Sequence, residues 1–188
     1  MASRTPARVL TNVLNPFAIF TVLFLCVALS EAAVLQVLLY MSAELLAAAA
    51  VAGYVIFMRR RMRVGDFWIS ARAERLTPAL FLLTSFVILL GALTLLGAPE
   101  NLFLLTLSMG LASATVALLT LFFKASAHST VAGHAAAAGL MLLGPLGSIF
   151  ALALPLVIWS RVALGAHKVT EALAGATVGA VFAVLFLI

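Results

Sequence analysis

The chain has 188 residues, of which 65% are hydrophobic and only 9% charged, with a net charge of +5. A soluble domain carries about 25% charged residues, so a fold solvated by water on all sides is excluded and the bilayer is the expected solvent. Apolar runs of about 15 to 24 residues suit helices crossing a hydrocarbon core of about 30 Å. The runs do not alternate apolar with polar residues, so helices rather than a closed barrel would satisfy the backbone in lipid. The prediction is an all-α polytopic membrane helix bundle of six to seven transmembrane helices, one integral membrane domain over 1–188.

In chain order, Arg4, Arg8 and the apolar run behind them have the layout of a signal peptide. More apolar helices follow, so an uncleaved signal anchor is expected. Helices are predicted at 15–34, 36–58, 77–97, 101–123, 128–143, 146–162 and 167–187. Asn15-Pro16 reads as a helix start, with proline in the first turn. Gly97-Ala98-Pro99-Glu100 reads as a tight turn. Gly144-Pro145-Leu146-Gly147 is either a break between two helices or a kink in one long helix. The lone cysteine, Cys26, excludes a disulfide within the chain and reads as a small buried hydrophobe. Gly175 and Gly179 have the small-xxx-small spacing that lets helices approach closely.

With seven helices, all eleven basic residues fall at one membrane face, and Glu100 and Glu31 are assigned to the other. The loops are short, so the positive-inside rule assigns the basic face to the cytoplasm. Arg59, Arg60, Arg61 and Arg63 serve orientation and anionic-lipid contact. No soluble segment could present a groove reader, so nucleic acid is not an expected partner. Association with a second copy stays open.

Candidate acid–base groups near that face are few. In "WSRVALGAHKVTEALAG", His167 and Glu171 stand four apart at a helix start. A carboxylate there can take the proton of one imidazole nitrogen and leave the other to attack. Arg161 lies just before and suits a phosphate. An ordinary surface His–Glu pair beside an interfacial arginine explains the same run. In "KASAHS", Lys124, Ser126 and the backbone N–H groups at a helix start surround His128 in an oxyanion-type setting. A buried histidine with satisfied hydrogen bonds is the bland alternative. His134, six residues on, is read as a packing residue bonded to a neighbouring helix. "DFWISARAERLTP" supplies Asp66, Arg72, Glu74 and Arg75. Glu44 lies inside the second predicted helix with no cation at its depth, and is expected protonated or facing a polar cavity. The segments 66–78, 124–128 and 160–171 are each separated by two helices and converge on one face. Two histidines, a carboxylate and several cations there suit phosphoryl transfer without a metal.

These residues resemble the type 2 phosphatidic acid phosphatase superfamily of integral membrane lipid phosphatases. Ser160-Arg161, five residues, His167, three residues and Glu171 match the spacing of its third motif, with Glu for Asp. Ala125-Ser126-Ala127-His128 keeps the Ser and His of the second motif but lacks its Pro and Gly. Arg75 takes the arginine place of the first motif, Pro78 falls two residues late, and Trp68 stands at the lysine place. The resemblance covers 66–180 and is similar to small, divergent bacterial members. It implies a hydrolase of lipid phosphates or diphosphates, of isoprenoid or phosphatidic acid type, working without a metal or other cofactor. His167 would form a phosphohistidine and Glu171 would orient it. His128 would protonate the leaving alkoxide, while Arg75, Arg161, Arg72, Lys124 and Ser126 would bind the phosphate. The alternative is a non-catalytic membrane protein that binds anionic lipid or a partner.

Overall fold

The computed structural model describes residues 4–61, 63, 65, 74 and 76–188. Its helices are α1 (Arg4–Val13), α2 (Pro16–Glu31), α3 (Val34–Arg60), α4 (Leu76–Leu95), α5 (Glu100–Leu119), α6 (Ala127–Leu143), α7 (Ser148–Ala163) and α8 (Val169–Leu187). A single 3₁₀ turn, Gly144–Gly147, joins α6 to α7. The molecule is an all-α membrane helix bundle: α3, α4, α5 and α8 are each long and apolar enough to cross a bilayer, and so is the stretch containing α6 and α7.

The helix starts follow local chemistry. Asn15 caps α2, its side-chain oxygen accepting the Ala18 N–H, and Pro16 fills the position where no N–H is needed. Ser126 caps α6 in the same way, accepting from the Ser129 N–H. Gly97 takes a φ of 65° in the turn that ends α4, a conformation costly for side chains with a Cβ. Two elements differ from the sequence reading. The helix expected over 101–123 ends at Leu119, because Thr120 to Phe123 turn back on the preceding carbonyls and Ser126 must be free to start α6. The short helix α1 is additional; it meets α2 at a 41° bend. Ala7 and Thr11 bury one side of α1 while Arg8, Val9 and Val13 stay exposed. Thr11 bonds Ser160 of α7 at 2.9 Å.

The α6–α7 connection is a hairpin and not a kink. A straight 37-residue helix would be about 55 Å long. Instead Lys124, before α6, donates to the Ala166 carbonyl beyond α7, so the chain returns to its starting level. Gly139 and Gly147 face each other so closely across the turn that a Cβ on Gly147 would strike the Gly139 backbone. The chain then runs up again as α8, parallel to α6. The bonds from Asn101 to Glu31 and from Tyr40 to the Gly97 carbonyl tie the opposite end of the bundle.

Among the described residues, the most extensive helix pairing is between α6 and α8, and it is close. A Cβ on Gly175 would meet the Ser126 carbonyl, one on Gly179 the Thr130 carbonyl, and one on Gly133 the Ala176 backbone. Backbones this close gain van der Waals contact that lipid tails cannot replace. Just beneath lies His134, completely buried, its Nε2 2.8 Å from the Ser108 hydroxyl of α5. Ser108 already donates to the Leu105 carbonyl, so the imidazole is the donor between them. Gly53 of α3, by contrast, has nothing within 4 Å of an added Cβ. Gly179→Ala is therefore expected to destabilise the protein by about 1–3 kcal/mol through overpacking. Gly53→Ala should be neutral or stabilising by up to about 1 kcal/mol. Thermal unfolding of the two variants in detergent compares them directly.

Candidate active site

The sequence "SRVALGAHKVTE" turns one helix into the next in five residues, 164–168. Gly165, at φ 69°, ends α7 in the left-handed conformation. Its N–H bonds the Val162 carbonyl, and the Ala166 N–H bonds the Arg161 carbonyl, the pattern of a Schellman cap. The His167 N–H reaches the same Arg161 carbonyl at 3.3 Å. The backbones of Arg161 and His167 are thus held together by the turn itself. Lys168 then occupies the N-cap position of α8, and Glu171, three residues on, reaches back to accept the Lys168 N–H at 3.1 Å. The same oxygen, Oε2, lies 3.1 Å from His167 Nδ1. One carboxylate both starts the helix and fixes the ring. With Nδ1 turned to Glu171, Nε2 is the nitrogen on the far side of the ring from the carboxylate.

The start of α6 is stitched onto this turn. The Ser126 N–H donates to the Glu171 carbonyl at 3.1 Å, and Lys124 Nζ donates to the Ala166 carbonyl at 3.0 Å. His128, in the first turn of α6, is thereby brought to the same cavity as Arg161 and His167. All three side chains are buried, at 5%, 4% and 7% exposure, which is low enough to exclude ordinary surface pairs.

That cavity has a volume of about 250 Å³ and a mainly apolar wall contributed by α2 to α7 and the His167 turn. It runs inward from the histidines. On α3 its lining extends from Val55 to Glu44, on α4 from Pro78 to Leu89, and along α5 from its C-cap Thr120 to Met109. Each range covers eleven helical steps, about 16 Å at 1.5 Å per residue. The cavity is therefore about one leaflet deep.

The expected site residues divide into three groups. His128, Arg161 and His167 come together, with Glu171 directly behind His167. Lys124 and Ser126 lie beside them without lining the cavity. Ser126 is completely buried and its hydroxyl accepts from the backbone and side chain of Ser129, so it shapes the start of α6. Lys124 holds the loop after α7. Arg72 and Arg75, like Asp66, lie outside the described residues. Glu44 lines this cavity as well; apart from Thr21 its surroundings are mainly apolar, so of the two settings expected of it, a protonated carboxyl or a polar cavity, the polar cavity is not the one found. Two features escaped the sequence reading: the contact of α1 with Ser160, and the role of Gly165. Gly165 carries a legible signal, a glycine just past a helix end. Among the described residues, no three His, Cys, Asp or Glu side chains group as a metal site.

Comparison with protein-family models, with curated proteins and with solved structures finds no match to this chain.

An added Cβ at Gly165 meets nothing within 4 Å, so a substitution there is opposed by backbone conformation alone. Gly165→Ala should cost about 1–2 kcal/mol, and Gly165→Asn less, since asparagine tolerates this conformation. Their order in thermal unfolding is the check.

Proposed function

We propose that the protein is a metal-independent membrane phosphatase that removes phosphate from a lipid phosphate or diphosphate through a phosphohistidine. The observation that carries the reading is the joint position of His128, Arg161 and His167 at one end of a deep, mainly apolar cavity, with Glu171 on the ring nitrogen of His167. A phosphate at that end would have its chain in the cavity, which suits an amphiphile of isoprenoid or phosphatidic acid type.

In this mechanism His167 Nε2 attacks the terminal phosphorus in line, forming the P–N bond as the P–O bond to the leaving group breaks; that group is the lipid alkoxide of a monophosphate or the lipid monophosphate of a diphosphate. Glu171 holds Nδ1–H and offsets the positive charge that develops on the ring. Arg161 neutralises the equatorial oxygens, which is the main demand of phosphoryl transfer. Arg72 and Arg75 join it if the likeness to the lipid phosphatases holds, and Lys124 adds positive potential from the rim. His128 gives its proton to the leaving oxygen, a contribution of about 10²–10⁴-fold. It then takes a proton from the water that attacks phosphorus, releasing inorganic phosphate and restoring His167. Ser126, in place of a direct phosphate contact, sets the start of α6 and so the place of His128. The basic end is proposed to face the cytoplasm.

Purified protein should release phosphate from an alkyl phosphate in the presence of EDTA. His167→Ala should abolish release, and Glu171→Ala should reduce it by about 10²-fold, the effect of a misdirected nucleophile. Undiminished turnover by His167→Ala refutes the phosphohistidine; binding without any turnover favours the non-catalytic lipid-binding alternative. Orientation is tested separately with Arg63→Cys in a Cys26→Ala background. An impermeant thiol reagent should leave it unmodified in intact cells and modify it after lysis.

A further inference from the structure

Glu44 stands at the inner end of the cavity, ten residues or about 15 Å along α3 from its start at Val34, near the middle of the bilayer. Its side chain is 3% exposed. Oε1 accepts a 2.7 Å bond from the Thr21 hydroxyl of α2, which fixes the carboxyl in place. Oε2 is buried and has no hydrogen-bond partner among the described residues. Around it the wall is apolar, with Phe20, Ala47, Ala48 and Leu89. A carboxyl in this setting is costly unless something bonds it. It is also an expensive place for the end of a plain hydrocarbon chain, which would leave Oε2 dry and unbonded.

We infer that Glu44 is a specificity residue that reads a hydroxyl, or an equivalent hydrogen-bonding group, carried on the chain of the amphiphile about 16 Å from its phosphate. A hydroxyl can donate to a carboxylate or accept from a carboxylic acid, so the assignment holds for either charge state of Glu44. The cavity then measures its ligand at two points, an anionic head at Arg161 and a polar group at Glu44. Plain chains that end short of Glu44 escape the second test. Plain chains that reach it are discriminated against. The inference rests on the proposed phosphate site at the histidine end of the cavity, but needs only binding there and not turnover.

The test is binding of dodecyl phosphate, ω-hydroxydodecyl phosphate and hexyl phosphate to the full chain in nanodiscs, with phosphate release recorded in parallel. The hydroxylated dodecyl chain should bind at least about tenfold more tightly than the plain one. Glu44→Leu should abolish or invert that preference, and Glu44→Gln, which keeps hydrogen-bonding capacity, should retain part of it. Hexyl phosphate, too short to reach Glu44, should bind all three proteins alike. Equal binding of the two dodecyl compounds by the unaltered protein, or the same ratio in Glu44→Leu, overturns the inference. If Glu44→Leu does not fold, the ratio in the unaltered protein still decides. The expected preference without phosphate release would refute the phosphatase reading and leave the role of Glu44 standing. Release without the preference would do the reverse.

Discussion

The close approach of α6 and α8 is the constraint on which the site depends. Gly175 and Gly179 let the Ser126 and Thr130 carbonyls of α6 lie directly on the α8 backbone. The two helices run parallel, so their starts lie side by side at one end of the bundle. His128 belongs to one start, and His167 with Glu171 to the other. A side chain between the helices would separate the two histidines as well as weaken the packing. In a membrane, where helices gain nothing from burying apolar surface away from lipid, such contacts are a main source of association. The residues that hold the fold together thereby also set the spacing of the candidate site.

Around that contact, single groups serve both fold and site. Glu171 Oε2 satisfies the N-terminal donor of α8 and orients His167. The Arg161 carbonyl closes the Schellman turn and receives the His167 N–H. Ser126 caps α6 and ties it to Glu171 through its own N–H. This economy follows from the solvent. Helix ends at the membrane surface leave unpaired backbone groups that must find partners close by. The side chains that provide them are then already held in place, which is what the proposed phosphoryl transfer would require.

Much of this was legible in the chain. Helices α2 to α8 follow from run length, and the start of α2 from Asn15-Pro16. The His167–Glu171 pair follows from four-residue spacing at a helix start. The helix α1 was missed because the break at Leu14-Asn15 separates it from the long apolar run, and a short amphipathic segment makes no hydropathy peak. The end of α5 was misjudged because Leu121, Phe122 and Phe123 continue the apolar run although the backbone has already turned. Ser126 was assigned to phosphate because a hydroxyl beside a histidine at a helix start fits an anion site and a cap equally well.

Composition and run length alone determined that the chain is a membrane helix bundle, since this depends only on counts of apolar residues and on the length of their runs. Local spacing determined the partner of His167, since four residues is one turn of helix. Only the tertiary structure decided that 144–147 reverses the chain, that Ser126 is a cap, and that Glu44 of α3 shares a cavity with His128 and His167. Those facts depend on which helix faces lie together. In a chain where almost every face is apolar, periodicity does not distinguish the face turned to lipid from the face turned to a cavity.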